Sequence, residues 1–412
     1  MAEPASLWRH RDFLLLWSGQ SISRVGDQFT GLAIPYMAAY ILGAGPAEMG
    51  LLGAAGTFPF LAFGLFVGVW VDRRQRRSVL IYADIGRGAV IAAIAVLGIA
   101  GILQLPHLYV FSFVIGVLTV FFDVAYQAYL PSIVERGQLV DANSKLETTS
   151  TLAGTAGPPI AGAAISLFRA PAAMLFDAAS FFFSAGTLAA IRKREARPEV
   201  PRGESVIAQI REGLRIVVRD PRLRHIATCT AWSNFFSSAT FSALFFLLLR
   251  DLGFDALSLG ILFAVSSIGG IVGAIVSARI AKRIGVGWAI ILGAVLFGLP
   301  VLPLPFIAAA IALPALGVML SVSLFGSLLY NINQVSFRQA IVPVRLQGRL
   351  NATMRTIVWG TLPLGALAGG FLGEAIGLRP AILIGVFAGG VSFLWVLFSP
   401  VRGIQEMPEA AP

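Results

Sequence analysis

The sequence predicts an all-α membrane protein of twelve transmembrane helices, built as two pseudo-repeated bundles of six. Three observations predict it. Only 13% of the 412 residues are charged and 57% are hydrophobic, with a mean hydropathy of +0.81; a soluble domain carries about twice that charge. A bilayer span needs about 20 apolar residues, and runs of that length follow one another along the whole chain. The cationic residues then segregate. With both termini on the cytoplasmic side, 26 of the 31 Lys and Arg fall in tails, inner loops or inner ends of spans; Arg169, Arg250 and Arg379 lie outside, and Arg24 and Arg87 within spans. One missed span would invert every downstream loop and destroy that split. The net charge of +10 therefore reads as topology and not as a nucleic-acid footprint, because the basic residues sit in short loops between apolar runs.

The expected spans are 13–41, 49–71, 78–102, 108–129, 145–167, 172–191, 225–249, 257–278, 287–306, 307–331, 351–375 and 379–398. The first follows a polar start. The second and third flank Gly68-Val69-Trp70-Val71-Asp72-Arg73-Arg74-Gln75-Arg76-Arg77. So dense a cationic knot cannot cross a bilayer, so it fixes this loop inside and sets the direction of every other span. Gly68, lacking a Cβ, is expected to let helix backbones approach closely.

Between the sixth and seventh spans lies the longest loop, 192–224, broken early by Pro198 and Pro201. Val206, Ile210, Leu214 and Val217 then recur at helical spacing, with Arg211, Arg215 and Arg219 on another face. That pattern predicts a helix lying on an anionic inner leaflet, ended by Asp220-Pro221. Four prolines between 300 and 314 predict a kinked hairpin joining spans nine and ten. The domain plan is an N-terminal bundle (1–191), a linker with its interfacial helix (192–224) and a C-terminal bundle with a short tail (225–412).

The halves repeat weakly. Gly50-Leu51-Leu52-Gly53 answers Gly260-Ile261-Leu262-Phe263, and Asp72-Arg73 answers Lys282-Arg283, both at a shift of 210 residues. Leu139 and Asn143 correspond to Gln347 and Asn351 at 208, which places Gly157 and Gly162 on Gly365 and Gly370. Two related six-span halves around a midplane cavity is a common plan of secondary transporters.

The pattern G-x-x-x-D-R-x-x-R-R between spans two and three resembles the corresponding loop of the major facilitator superfamily, with Gln75 where that family usually has glycine. Through further residues the chain resembles, more narrowly, the branch holding bacterial macrolide-efflux and enterobactin-export proteins. They are Trp17-Ser18-Gly19-Gln20 and Gly26-Asp27, Ala83-Asp84 with Arg87, Phe122 and Ala125–Pro131 with Asp141–Ser144, and Gly348-Arg349-Leu350-Asn351. The segment Gly157-Pro158-Pro159-Ile160-Ala161-Gly162 is similar to the glycine-proline motif of drug–proton antiporters, with Pro159 as an extra proline. The prolines remove backbone donors and bend the helix, and the glycines permit tight packing. The resemblance implies that the segment seals a leak path in exporters; an ordinary packing kink is the alternative. It also implies a gating role for the Gly68–Arg77 loop, with Asp72, Arg73, Arg76 and Arg77, and for Arg349.

Charges inside a bilayer are costly, so each needs a reason. Helix rise puts Asp27 about 20 Å into span one, with Arg24 a turn earlier on the same face. Asp27 is expected to bind a proton or a cationic cargo, tuned by Arg24, or else to form a static ion pair. Asp84, Arg87 and Asp123 fall at one depth, about 10–13 Å from the inner boundary. They read as a gate latch or a permanent pairing, with Asp123 a second candidate for titration. Asp177 reads as helix capping or an outer-gate contact, and Arg355 as a snorkelling side chain at an inner helix end. Spans seven to ten have no charged residue in their interiors. The second half is therefore expected to supply a hydrogen-bonding and aromatic cargo wall, from Trp232, Asn234, Phe235, Asn331, Asn333 and Trp359, joined by Gln20 of the first half.

Cys229 is the only cysteine and the three histidines are scattered, so no disulfide or metal site is expected. No Walker loop or nucleophile elbow occurs, and neither an enzymatic reaction nor a cofactor is expected. The functional expectation is a monomeric secondary transporter in a bacterial inner membrane, exchanging protons for small hydrophobic or amphiphilic compounds. An importer or lysophospholipid flippase of the same fold, or a non-transporting receptor, is the alternative.

Overall fold

The computed structural model describes residues 7–135, 138–193, 195 and 206–406. The first six crossings are α1 (Arg11–Tyr36), α2 (Pro46–Asp72), α3 (Arg76–Ile99), α4 (Leu105–Ile133), α5 (Leu139–Phe168) and α6 (Ala170–Ala190). The helix expected in the middle loop is α7 (Val206–Arg219). Next come α8 (Pro221–Arg250), α9 (Ala256–Ile284), α10 (Val286–Gly298) and α11 (Ala312–Ile341). The eleventh crossing is broken into α12 (Val344–Trp359) and α13 (Thr361–Ile376), and the twelfth into α14 (Leu378–Gly390) and α15 (Leu394–Leu397). Among the described residues, ten crossings are long and apolar enough to span a membrane; α1, of 26 residues, and α2, of 27, complete the twelve.

The local chemistry explains the ends. His10 Nδ1 accepts from the Phe13 amide 3.1 Å away and starts α1. Gln104 and His107 cap α4 reciprocally. The proline-rich stretch forms three short 3-10 turns (Leu299–Val301, Leu304–Phe306 and Ala309–Ile311) where the sequence predicts a kinked hairpin. Gly285 and Gly377, at φ +89° and +90°, turn the chain from α9 to α10 and from α13 to α14.

α8 begins at Pro221, four residues earlier than the sequence predicts. Asp220 is the reason. It is the N-cap, accepting from the Arg222 amide at 2.8 Å and from Arg222 Nη2 at 2.7 Å. Burial opposes the charge of its carboxyl, but the bonds from Arg222 outweigh burial and hold it below the usual carboxylate range. A depressed folded-state value means stabilisation that is present above the unfolded-state value and lost as pH falls through the folded one. Asp220→Ala is therefore expected to cost about 1 kcal/mol at neutral pH. In thermal melts of the detergent-solubilised protein, the gap from wild type should close on strong acidification.

The helices gather into two compact units. The first holds Met1–Gly43, Ala62–Gly203 and Asp255–Ala264; the second holds Ala44–Leu61, Glu204–Phe254 and Val265–Pro412. In the first, α6 packs against both α1 and α3, and α1 against α5. In the second, α8 packs against α13 and α14, and α10 against α11. Small residues make these approaches possible, as in other membrane helix pairs. A Cβ on Gly365 or Gly369 of α13 would come within 2.1 Å of a backbone carbonyl oxygen of α8, that of Phe235 or of Ala239.

Gly68 behaves otherwise. A Cβ there would meet nothing within 4 Å, so the close helix approach expected from the sequence is not made at this residue. The side chains of Asp72 and Arg349, both candidate gating residues, lie outside the described set.

Candidate functional site

In the first unit the α1–α6 seam is polar. α6 presents Asp177, Ser180, Ser184 and Thr187 at helical spacing, and α1 answers with Gly19, Gln20, Gly26 and Thr30. A Cβ on Gly19 would lie 2.2 Å from Thr187 Oγ1, and one on Gly26 2.2 Å from Ser180 Oγ. Gln20 is buried and donates from Nε2 to Ser184 Oγ at 3.1 Å. It belongs to this seam and not to a cargo wall.

Asp27 sits beside the seam with its side chain 34% exposed, an opening unusual for a carboxylate in the middle of an apolar helix. Its ion pair with Arg24 is long, 3.9 Å from Nη1 to Oδ2. Arg87 and Asp123 also lie within electrostatic reach of Asp27.

Asp84 and Arg87 are buried and ion-paired to each other within α3, three residues apart. The Arg87 guanidinium is sandwiched between Phe122 of α4 and Phe181 of α6, 4.2 and 4.3 Å from the ring centroids. Ser184, which accepts from Gln20, lies close enough to act on the Asp84 carboxyl. The pair is formed on one helix and clamped by two rings of the same unit. This is the arrangement expected of a permanent pairing, the alternative to a latch.

The cationic loop does make a contact between helices. Arg77 donates from Nε to the Leu188 carbonyl at 2.9 Å and from Nη2 to the Ala189 carbonyl, holding the C-terminal carbonyls of α6. Glu195 Oε1 is 3.5 Å from Arg76 Nη1, and its Oε2 accepts from the Arg77 amide at 3.3 Å. Arg73 is exposed. A cation on the last carbonyls of a helix is favourable for both charge and hydrogen bonding. Arg77→Ala is expected to cost about 1 kcal/mol, read as a lower melting midpoint of the purified protein, with Arg77→Lys recovering part of the loss.

The second unit contains a cavity of about 190 Å³ lined by polar side chains: Thr230, Ser233 and Asn234 of α8 and Ser327, Tyr330 and Asn331 of α11. Phe297 and Trp359 supply the rings. The cavity lies beside the break in the eleventh crossing. Pro363 has no amide hydrogen for the carbonyl four residues back, and the helix interrupts at Gly360. Asn234 Nδ2 takes the neighbouring Val358 carbonyl at 3.1 Å, leaving its Oδ1 for the cavity. Arg355, expected only to snorkel, lies over the Trp359 ring at 4.4 Å.

Three predicted wall residues, Asn234, Asn331 and Trp359, thus come together. The others do not line the cavity. Trp232 donates from Nε1 to the Ala388 carbonyl at 2.6 Å and packs at a tilt against Phe236 and Trp395. The Phe235 backbone is pressed against Gly365. Asn333 is buried, donating to Ser277 Oγ of α9 at 2.9 Å. Residues one or two positions apart on a helix point in different directions, and hydropathy does not reveal which face meets a neighbour. Thr230, Ser233, Ser327 and Tyr330 carry no distinguishing mark in the sequence, because small hydroxyls in apolar helices also serve ordinary packing.

α5 runs unbroken through Pro158 and Pro159. Its glycines have graded surroundings. A Cβ on Gly154 would meet nothing within 4 Å; one on Gly157 would meet the flexible Gln28 side chain at 2.3 Å. One on Gly162 would meet the Ala256 carbonyl oxygen, at the start of α9, at 2.4 Å. One on Gly260 of α9 would likewise lie 2.7 Å from the Pro158 carbonyl oxygen. The motif residues thus form a backbone-to-backbone crossing with the start of α9.

A family model described as Major Facilitator Superfamily matches residues 16–360. The chain is 28% identical over 397 residues to the multidrug efflux pump Tap of Mycolicibacterium fortuitum, covering 91% of this chain and 94% of that one. It is 23% identical over 209 residues to macrolide efflux protein A of Streptococcus pyogenes, about half of each chain (50% and 51%). Among solved structures, a bacterial homologue of the iron transporter ferroportin in its inward-facing state superposes with a TM-score of 0.71 at 19% identity, over 95% of this chain and 99% of the other.

Proposed function

The chain belongs to the Major Facilitator Superfamily, and from that premise we propose that it exports small hydrophobic or amphiphilic compounds in exchange for protons, by alternating access. It is a multi-pass membrane transporter and not an enzyme. The observation that carries the exporter reading is the division of chemistry between its units. The first gathers Arg24, Asp27, Asp84, Arg87, Asp123 and Asp177 within membrane helices. The cavity of the second is lined by hydroxyls, amides and rings, with no charged side chain among its lining.

Asp27 is the acid that exchanges protons in this reading, because it combines partial exposure with a long, loose ion pair. Arg24 and Asp123 set its charge environment. Proton binding at Asp27 favours one facing state and cargo the other, so each drives the other through a shared equilibrium. The cavity accepts the polar end of a cargo whose apolar remainder lies outside it, since about 190 Å³ is below the 300–1,000 Å³ typical of a site enclosing a drug-sized ligand. The efflux-pump relatives support the direction of transport. The protein works as a monomer in a bacterial inner membrane, with both termini cytoplasmic and α7 on the anionic leaflet.

The test is accumulation of ethidium and erythromycin in drug-hypersensitive bacteria producing the protein. Lower accumulation that a protonophore restores is the expected result. Equal accumulation of both compounds with and without the protein, at verified membrane expression, would remove the reading.

A further inference from the structure

Asp177 lies fully buried in the α1–α6 seam, at 0% exposure. Its carboxyl oxygens meet hydroxyls. Thr30 Oγ1 donates to Oδ2, while Ser180 Oγ is 3.1 Å from Oδ1 and 2.7 Å from the residue's own backbone carbonyl. Among the described residues no ion pair reaches it. The charged groups acting on it are Asp27 of α1 and Arg87 of α3, the latter engaged by Asp84. Arg24 and Asp123 act in turn on Asp27. On α5, the facing stretch 149–160 contains no titratable side chain.

This surrounding suits a carboxyl that changes charge. A guanidinium partner serves only the ionised form. A hydroxyl donates to an ionised oxygen and accepts from a protonated one, so Thr30 and Ser180 can satisfy both forms without moving a helix. The seam is also shaped around the acid: a Cβ on Gly26 would come within 2.4 Å of Asp177 Oδ1. Gly26 immediately precedes Asp27, whose carboxyl is partly exposed. The open acid and the closed one are thus separated by the backbone of a single turn of α1.

We propose that Asp177 is a second proton-binding site, filled from Asp27 around the Gly26 backbone, so that two protons enter per transport cycle. The protonated Asp27 carboxyl gives its proton to the Asp177 carboxylate and is left ionised beside Arg24, free to take another. The role in transport rests on the exporter reading, whereas proton binding at Asp177 stands apart from it.

Infrared pH-difference spectra of the purified protein in lipid films, without cargo, test the site directly. Wild type should show two protonated-carboxyl bands growing with acidification, one absent from Asp27→Asn and the other from Asp177→Asn. Thr30→Val, which keeps the acid and removes a donor, should move the second band to higher wavenumber. Asp177→Asn spectra identical to wild type would overturn the proposal. If Asp177→Asn does not fold, an unmoved Thr30→Val band does the same. In proteoliposomes at zero membrane potential, Asp177→Asn should lower the steady-state ethidium ratio about tenfold per unit of pH gradient, the loss of one coupled proton; an unchanged ratio would overturn the two-proton cycle. If wild type fails to concentrate ethidium, the exporter reading fails, and the spectra still decide the site.

Discussion

Asp27→Asn is expected to abolish uphill export while leaving the protein folded and inserted. The substitution is nearly isosteric, and the side chain is 34% exposed, so little packing is disturbed. The pair it breaks, at 3.9 Å with a half-exposed Arg24, contributes little stability. What is lost is the ability to take up and release a proton. In proteoliposomes with an imposed pH gradient, the cargo ratio should fall to the passive value. Downhill counterflow of labelled compound should continue, since cargo still exchanges with the cavity of the second unit. Asp27→Glu should retain part of the coupling. Full uphill transport by Asp27→Asn would remove this residue from the mechanism.

Substitutions along α5 should follow the graded contacts of its glycines. At Gly154 a methyl group meets open space, and Gly154→Ala should leave export unchanged. At Gly157 the obstacle is the end of Gln28, which can move. At Gly162 the obstacle is the Ala256 carbonyl, part of the helix backbone. Gly162→Ala should cost about 1–3 kcal/mol through overpacking, and Gly162→Leu should exclude the crossing altogether. If the crossing seals the exporter in one facing state, Gly162→Leu should pass protons without cargo. Collapse of a pH gradient in cargo-free vesicles, reported by an entrapped dye, measures that leak. Tight vesicles containing a folded Gly162→Leu protein would leave the crossing a packing contact only.

The spans and their order were legible because each requirement of lipid leaves a mark in composition: length, absence of charge and cations at one side. The break in the eleventh crossing was not read, since the span was expected to run unbroken over 351–375, and the Val358 carbonyl taken by Asn234 depends on how α8 lies against it. Side-chain direction was the main obscurity. Trp232 and Asn234 are two residues apart and the same wall was expected of both, yet one reaches Ala388 and the other the break at Gly360. Asp84 and Arg87 could be placed at one depth from helix rise, but not recognised as a pair held between two rings, because Phe122 and Phe181 are distant in sequence. Asp177 was visible as an acid in an apolar run, and only the facing Gly26 and Thr30 show why it needs no cation.

The most direct measurement is made with purified protein in sealed vesicles, comparing ethidium accumulation with an imposed pH gradient and after its collapse by an ionophore. The account predicts accumulation against the concentration gradient in the first case, none in the second, and none in either for Asp27→Asn. Equally steep accumulation with no ion gradient supplied would contradict it.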